Sequence, residues 1–285
     1  MPTNTAKVEA ILKAGPGDTR YPQVFRAKCR HGTYLLPATD TIVAAAMERY
    51  GEYSEDEVKV FRQIIQPGSW VLDVGANIGV FTVPLSQIVG PAGRVLAFEP
   101  QPALFGILRA NCELNEATNA ILFHAAADTH TGGVKMPVVD YSARGNFGSL
   151  TFGAGELEIP ALSIDSLALP FCHFMKIDVE GMECQALVGA EKTIQQHRPI
   201  IYVENDRKEN SHGLISLLRN LRYKMWWHLP PMVRDDNFKR APIGPFKDMV
   251  SVNMICVPEE FAVKLEGFEE VEGPLSRPSE LEDVE

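Results

Sequence analysis

The sequence predicts an α/β protein: a doubly wound, mostly parallel sheet of about seven strands, the last antiparallel, preceded by an N-terminal mixed α/β cap. Three observations point there. From residue 67 onward, short apolar runs ended by an acid or a glycine turn alternate with stretches of helical periodicity. The runs are apolar throughout, as strands covered on both faces are. The chain has 285 residues, 45% hydrophobic and 22% charged, enough to bury a sheet of this size.

The elements follow in order. Residues 1–66 form the cap, with strand pieces over 23–36 around a turn at His31-Gly32 and a helix from Asp40 to Arg49 that breaks at Gly51. Ser54 to Glu57 has the spacing of a capping box, in which hydroxyl and carboxylate each satisfy a free amide at the start of a helix running to about Ile65. The core spans 67–258. Ser69–Val74 is its first strand, and Gly75–Gly79 turns the chain into a helix ending near Gly90, with Pro84 expected to delete a bond to Val80 and bend it. Arg94–Phe98 is the second strand, and Pro102 starts a helix to about Leu114. Ala120–Ala126 is the third strand. Regularity lapses over 129–160, a glycine-rich stretch read as a hairpin or a long functional loop. The fourth strand is Phe174–Asp178, followed by one helix over 182–196. The fifth is Pro199–Val203, ending in Glu204-Asn205, then a helix over 211–221 and a sixth strand, Tyr223–His228. A flexible proline-rich excursion over 230–245 leads to an apolar last strand, Met249–Val257. Residues 259–285 form an acidic tail expected to be mobile.

Charge and cysteines narrow the function. The net charge is −10, and ten acids against Lys264 and Arg277 place −8 of it in the tail, leaving the body at −2. A near-neutral body without a basic block offers no footprint for nucleic acid or an anionic membrane. Five scattered cysteines, none spaced C-x-x-C, fit neither a disulfide framework nor a zinc ribbon. The first twenty residues lack the pattern of a secretory signal. Val74–Gly93 has no formal charge, but its polar residues and four glycines rule it out as a membrane span. A cytoplasmic protein is expected.

In a doubly wound sheet, ligands bind beyond the carboxyl ends of the strands, where strand order reverses. Asp73-Val-Gly75-Ala-Asn77-Ile-Gly79 lies at such an end; Gly75 allows a sharp turn close to a ligand, and Gly79 allows tight packing of the helix. The G-x-x-x-G spacing differs from G-x-G-x-x-G and disfavours a dinucleotide pyrophosphate, and with it a nicotinamide oxidoreductase. Glu99 ends the second strand, where its carboxylate can accept both hydroxyls of a ribose. Asp128 follows the third strand, placed to accept from an adenine amino group, and Asp73 or the backbone at Gly75 would face an amino-acid tail. A sulfonium nucleoside carrying such a tail fits this set.

These residues resemble the FkbM family of S-adenosylmethionine-dependent methyltransferases, which have a Rossmann-like fold. The resemblance is carried by Gly51-Glu52-Tyr53-Ser54 with Glu57, by residues 71–79, by Phe98-Glu99-Pro100 and by Asn111–Asn115. It continues through Lys176-Ile-Asp178-Val-Glu180-Gly181 with Glu183, Gly189-Ala190, Arg198–Ile201 and Glu204, covering roughly residues 40–205. It implies S-adenosyl-L-methionine as cofactor, held by Asp73, Gly75, Asn77 and Glu99, and O-methylation as the usual reaction. Ala76, Gly79, Pro100, Asp128 and Asp178 complete the expected cofactor-binding set. The expected partner is a small hydroxyl-bearing molecule such as a sugar or polyketide. A non-catalytic nucleoside-binding scaffold is the reading from a different class.

Three residues are candidate catalytic groups: Asp178, ending the fourth strand, Glu204, closing the fifth, and His228, following Trp226-Trp227. A carboxylate at 178 could accept the proton of a substrate hydroxyl during transfer, and it could equally cap the next helix. Glu180 and Glu183 could share that work or pair with Lys176 and Lys192. The tryptophans are a substrate platform or core packing; His124 and His173 suit structural roles. Asp178, Glu204 and Asn205 form an alternative oxygen-ligand set for a divalent ion such as magnesium, similar to catechol-type O-methyltransferases. Residues 144–149 and 232–247, with Arg144, Arg234, Lys239 and Arg240, could select the substrate or be solvated loops.

Overall fold

The computed structural model describes residues 19–150 and 155–279. The cap opens with a hairpin, β1 (Val24–Cys29) and β2 (Gly32–Pro37), paired antiparallel around His31-Gly32. Helix α1 (Val43–Tyr50) follows, started by Asp40, whose Oδ1 accepts the amides of Ile42 (3.1 Å) and Ala44 (2.8 Å), and stopped at Gly51. Helix α2 (Glu55–Ile64) has no capping box. Ser54 sits at φ 47°, and its hydroxyl donates 2.7 Å to Glu57 Oε1 inside the protein, so the two side chains satisfy each other.

The core sheet uses β3 (Trp70–Val74), β4 (Arg94–Phe98), β5 (Ala120–Phe123), β9 (Phe174–Ile177), β10 (Ile200–Glu204), β11 (Tyr223–His228) and β12 (Asn253–Pro258). Their spatial order is β11-β12-β10-β9-β3-β4-β5, all parallel except β12, which runs antiparallel between β10 and β11. From β3 the chain winds outward to β5, then crosses back to β9 on the other side of β3, so strand order reverses between β3 and β9. This is the Rossmann-like doubly wound arrangement that the apolar strand runs predict. Both faces are covered: Val71, Val95, Phe174, Tyr202 and Trp226 pack into one core, and Leu72, Leu96, Met175, Ile201 and Trp227 into the other. The two tryptophans are core side chains, one on each face of β11.

Helices α3 (Thr82–Val89), α4 (Pro102–Leu114), α5 (Glu183–Val188), α6 (Glu191–His197) and α7 (Lys208–Asn220) connect the strands. Two differ from the sequence expectation. Helix α3 starts at Thr82, so Pro84 is in its first turn, where an amide has no helical partner to lose. The single helix expected over 182–196 is split at Gly189-Ala190. The Gly189 carbonyl is taken by the Asp165 amide (2.9 Å) and the Ser163 hydroxyl (2.8 Å), and a Cβ on Gly189 would lie 2.0 Å from the Asp128 carbonyl oxygen. The third strand also stops early: Ala126-Ala127 (β6) leaves the main sheet to join β7 (Gly132–Met136) and β8 (Leu157–Leu162) in a small sheet ordered β6-β8-β7. The irregular stretch after Thr129 therefore contains an antiparallel strand pair, β7 with β8.

The cap and the excursion are tied down by buried polar contacts. Asn111, fully buried on α4, receives the Leu35 amide at 2.7 Å and donates to the Leu35 carbonyl (3.1 Å) and the Ile78 carbonyl (2.8 Å), acting as an extra strand residue beside β2. The segment expected to be a flexible lid is anchored to the cap: the Phe238 amide donates to Glu52 Oε2 (2.8 Å), the Lys239 amide to the Tyr50 carbonyl (3.0 Å), and Phe246 packs edge-on against Tyr50. Part of the acidic tail is likewise seated, with the Trp227 amide bound to the Glu269 carbonyl and the Val271 amide to the Met225 carbonyl. Its last six residues lie outside the described residues. Among the described residues no helix is long and apolar enough to cross a membrane.

Replacing Asn111 with alanine strands three buried backbone groups. The expected loss is about 3 kcal/mol of unfolding free energy by urea denaturation, and a loss under about 1 kcal/mol would show that the hairpin does not depend on this side chain.

Candidate active site

A cavity of about 220 Å³ opens beyond the carboxyl ends of β3, β4, β9 and β10, at the point of reversal. Gly75 makes its floor. Its φ is 89°, and a Cβ there would stand 1.7 Å from the Asp178 carbonyl oxygen, so the bend after β3 can approach the end of β9 only with glycine. The amides of Gly75 and Ala76 donate to the Phe98 carbonyl (3.0 and 2.8 Å), and that of Asn77 donates to Glu99 Oε2 (2.8 Å). All three amides are thus committed within the protein, which leaves no cradle of free N–H groups for a pyrophosphate.

Glu99 is gripped from both sides, since its Oε1 also accepts the Gln101 amide (2.8 Å). It is 3% exposed and lines the cavity. Burial pushes its pKa up to about 7 against the pull of those two amides. Each carboxylate oxygen keeps acceptor capacity towards the cavity. Residues 141–149, between β7 and β8, close over this end: Gln101 Nε2 donates to the Phe147 carbonyl (2.7 Å), Tyr141 donates to Gln101 Oε1 (2.8 Å), and Asn146, Gly148 and Ser149 reach the wall.

The other end is ionic. Lys176, on the central strand β9, is 1% exposed, with its ammonium 2.9 Å from Asp178 Oδ2 and 4.6 Å from the Phe81 ring centre. Burial alone would lower its pKa, but Asp178, Asp73 and Glu57 together raise it, so the ammonium is held charged. Glu57 is pushed up to about 7 by its burial, which outweighs the attraction of Lys176 and the Ser54 hydrogen bond. Beyond Asp178, one oxygen each of Asp178, Glu180 and Glu204 lie within 4.8 Å of one another. Glu180 accepts from Arg207 at 2.7 Å, yet burial and the neighbouring Asp178 push it up to about 7. Glu204 is raised well above the usual carboxylate range by burial and then by Asp178, and its Oε2 is buried without a hydrogen-bond partner.

The cavity brings together Gly75, Asn77, Glu99, Pro100, Asp178 and Glu204 of the residues expected from sequence. The others lie elsewhere. Asp73 is wholly buried under the floor, accepting from the Thr82 hydroxyl (2.6 Å), and Ala76 is behind the bend. Gly79 packs against Leu108. Asp128 turns away to receive the Thr129 amide (2.6 Å), and Ala125–Ala127 line the wall in its place. Asn205 donates from Nδ2 to the Met254 sulfur (3.4 Å), and it is Glu180 whose carboxylate oxygen lies within 4.8 Å of those of Asp178 and Glu204. His228 bonds the Tyr202 hydroxyl through Nδ1 (2.7 Å) outside the cavity, and burial lowers its pKa to about 4, which suits a structural histidine. Glu183 receives the amides of Gly181 (2.9 Å) and Val179 (3.3 Å) and so braces the turn after β9. His173 takes the Trp70 amide at 3.0 Å, and His124 stacks on Phe105. Arg234 is engaged by Asp56 and Asp236.

Lys176 is a wall residue that the strand-end pattern does not single out. A signal for it exists: a lysine inside an unbroken apolar strand must be paired where it is buried. Tyr53, Phe81, Met232 and residues 250–252, which complete the wall, carry no such signal.

A family model for the methyltransferase FkbM domain matches residues 73–225, which run from the floor of this cavity to the start of β11. The chain belongs to the FkbM methyltransferase family. Among curated relatives, this FkbM-family chain is 26% identical over 188 residues to the hexuronic acid methyltransferase AglP of Haloferax volcanii, covering 65% of this chain and 74% of that one. It is 49% identical over 47 residues to the 31-O-demethyl-FK506 methyltransferase FkbM of Streptomyces tacrolimicus, of which it covers only 18%, with 16% of its own length. A crystal structure of methyltransferase FkbM from Methylobacillus flagellatus superposes with a TM-score of 0.43 at 18% identity, over 70% of this chain and 50% of that one.

The raised carboxyls make a pH prediction. Glu57, Glu99 and Glu180 bind protons more tightly folded, near 7, than at their ordinary value of 4.5. Their stabilisation is complete below 4.5 and is lost as pH rises through 7, on the order of 1–3 kcal/mol for each fully buried group. The ligand-free protein should therefore melt at a lower temperature at about pH 8 than at about pH 5, and Glu57→Gln should flatten the slope in scanning calorimetry. A wild-type melting temperature that rises across this range would contradict the assignment.

Proposed function

We propose that this protein transfers a methyl group from S-adenosyl-L-methionine to a hydroxyl group of a small molecule. The supporting observation is one cavity holding Glu99, braced by two backbone amides at the Gly75 bend, at one end and Asp178 with Glu204 at the other. The first arrangement suits a nucleoside sugar and the second a reacting hydroxyl. When bound, the cofactor supplies an electrophilic methyl carbon on a positively charged sulfur.

In this reading Glu99 accepts the two ribose hydroxyls, and Ala125–Ala127 with Pro100 flank the base. The floor at Gly75 and Asn77 passes beneath the amino-acid tail. The acceptor oxygen is held in line with the methyl carbon and sulfur, an alignment that supplies much of the rate by itself. Asp178 takes the hydroxyl proton as the new O–C bond forms, while Lys176 donates to its Oδ2. Lys176 positions that carboxylate. Glu204, holding its own proton more tightly, lines the far side.

A divalent ion on Asp178, Glu180 and Glu204 is a second reading, favoured by the closeness of their oxygens. Methyl transfer that survives excess EDTA removes it.

Titration calorimetry with S-adenosylhomocysteine should show binding, with Glu99→Ala weakening it about tenfold or more. Equal affinity for NAD would overturn the assignment. Asp178→Asn should lower turnover by about 10²–10⁴-fold with little change in affinity for S-adenosylhomocysteine, and unchanged turnover would remove Asp178 from the mechanism.

A further inference from the structure

Residues 137–150 form no helix and no strand, yet they are firmly docked. On the cap side, the Thr41 amide donates to the Gly145 carbonyl (2.9 Å), the Gly145 amide to the Thr39 carbonyl (3.1 Å) and the Thr39 hydroxyl to the Tyr141 carbonyl (2.7 Å). Asp40 Oδ2 accepts the Phe147 amide at 3.3 Å. Tyr141 and Phe147 are buried and meet edge-on, with ring centres 4.9 Å apart. From there the chain crosses the cavity. A Cβ on Gly148 would stand 3.1 Å from Asn77 Nδ2 and 4.0 Å from Glu180 Oε1, so Gly148 lies beside both the Gly75 bend and the acidic end. The stretch forms a roof over the half of the cavity that holds Glu99.

Gln101 is where this roof meets the sheet. Its backbone amide donates to Glu99 Oε1 (2.8 Å). Its buried side chain spends both hydrogen-bonding ends on the roof, Nε2 donating to the Phe147 carbonyl (2.7 Å) and Oε1 accepting from the Tyr141 hydroxyl (2.8 Å). Burial and the neighbouring Glu99 push the Tyr141 pKa up, so that hydroxyl remains a donor. The position is demanding. Gln101→Glu would set an acceptor against the Phe147 carbonyl, and Gln101→Leu would strand both partners. One residue therefore holds the carboxylate with its main chain and the roof with its side chain.

We propose that Gln101 is a latch, a positioning residue that fixes residues 141–149 over the nucleoside and so governs how fast the cofactor enters and leaves. The proposal rests on the cofactor part of the methyl-transfer reading and adds control of cofactor exchange to it. With Glu99 at the ribose and the Phe147 segment across the opening, the nucleoside is enclosed between sheet and roof. Exchange then requires the two side-chain hydrogen bonds of Gln101 to open, a local event that leaves the docking of the roof on Thr39 and Asp40 in place. The latch makes no contact with the ribose through its side chain, so releasing it changes the rate of exchange while the Glu99 grip persists.

The test follows S-adenosylhomocysteine on and off the immobilised full-length protein by surface plasmon resonance. Gln101→Leu should raise the dissociation rate constant about tenfold or more without slowing association. A dissociation rate within about twofold of wild type overturns the proposal while leaving the cofactor assignment intact. Faster release accompanied by slower association would mean a damaged Glu99 grip, and it overturns the latch as well. Should Gln101→Leu melt early, Tyr141→Phe removes one roof hydrogen bond and keeps the ring. It should raise the dissociation rate about threefold or more by itself, and add less than about twofold in a Gln101→Leu background, where its partner is already gone. Independent, multiplying effects of the two substitutions would mark separate structural contacts and sink the proposal. A wild-type protein that does not bind S-adenosylhomocysteine overturns both this inference and the reading beneath it.

Discussion

A buried ammonium organises this molecule. Lys176 sits on the central strand of the sheet with carboxylates on three sides: Asp178 on its own strand, Asp73 on the neighbouring strand and Glu57 on a cap helix. An unpaired charge in that position would be prohibitive, so strand, neighbour and cap must all arrive for the charge to be tolerated. The same contact fixes the orientation of Asp178 at the mouth of the cavity. The stability of the fold and the shape of the cavity therefore depend on one electrostatic arrangement, in which the cap is as necessary as the sheet.

The donor end follows a different logic, in which backbone geometry leads. The bend at Gly75 has turned its amides inward to Phe98 and Glu99, so what lines the cavity there is a carboxylate rather than a nest of free N–H groups. That distinguishes the site from the phosphate-gripping version of the same fold, where free amides at the helix start face the ligand. The missing middle glycine in the sequence is the outward sign of this difference.

Much of this is legible in the order of the amino acids alone. Strand ends at 74, 98, 177 and 204 can be read because a parallel sheet buried on both faces writes its strands as unbroken apolar runs, and Glu99, Asp178 and Glu204 stand out as acids terminating them. Side-chain direction cannot be read in the same way. Asp73 and Asp128 also sit at strand ends, yet one points beneath the floor to Thr82 and the other to its own neighbour, Thr129. His228 looks catalytic because it ends a strand, but pairing of β11 with β12 turns it towards Tyr202. The split after Val188 is invisible because it comes from long-range claims on one carbonyl, by Asp165 and Ser163, and not from local propensity.

The front wall of the cavity has a separate origin from its back. Ile42, Val43 and Tyr53 come from the cap, and Met232 and residues 250–252 from the excursion before the last strand. Glu52 joins the two by holding the Phe238 amide, and all of these residues fall outside the 73–225 stretch that defines the family. The cavity is thus closed by pieces that lie outside the stretch shared with the family, so its shape on that side can vary from one relative to another without any change to Gly75, Glu99 or Lys176.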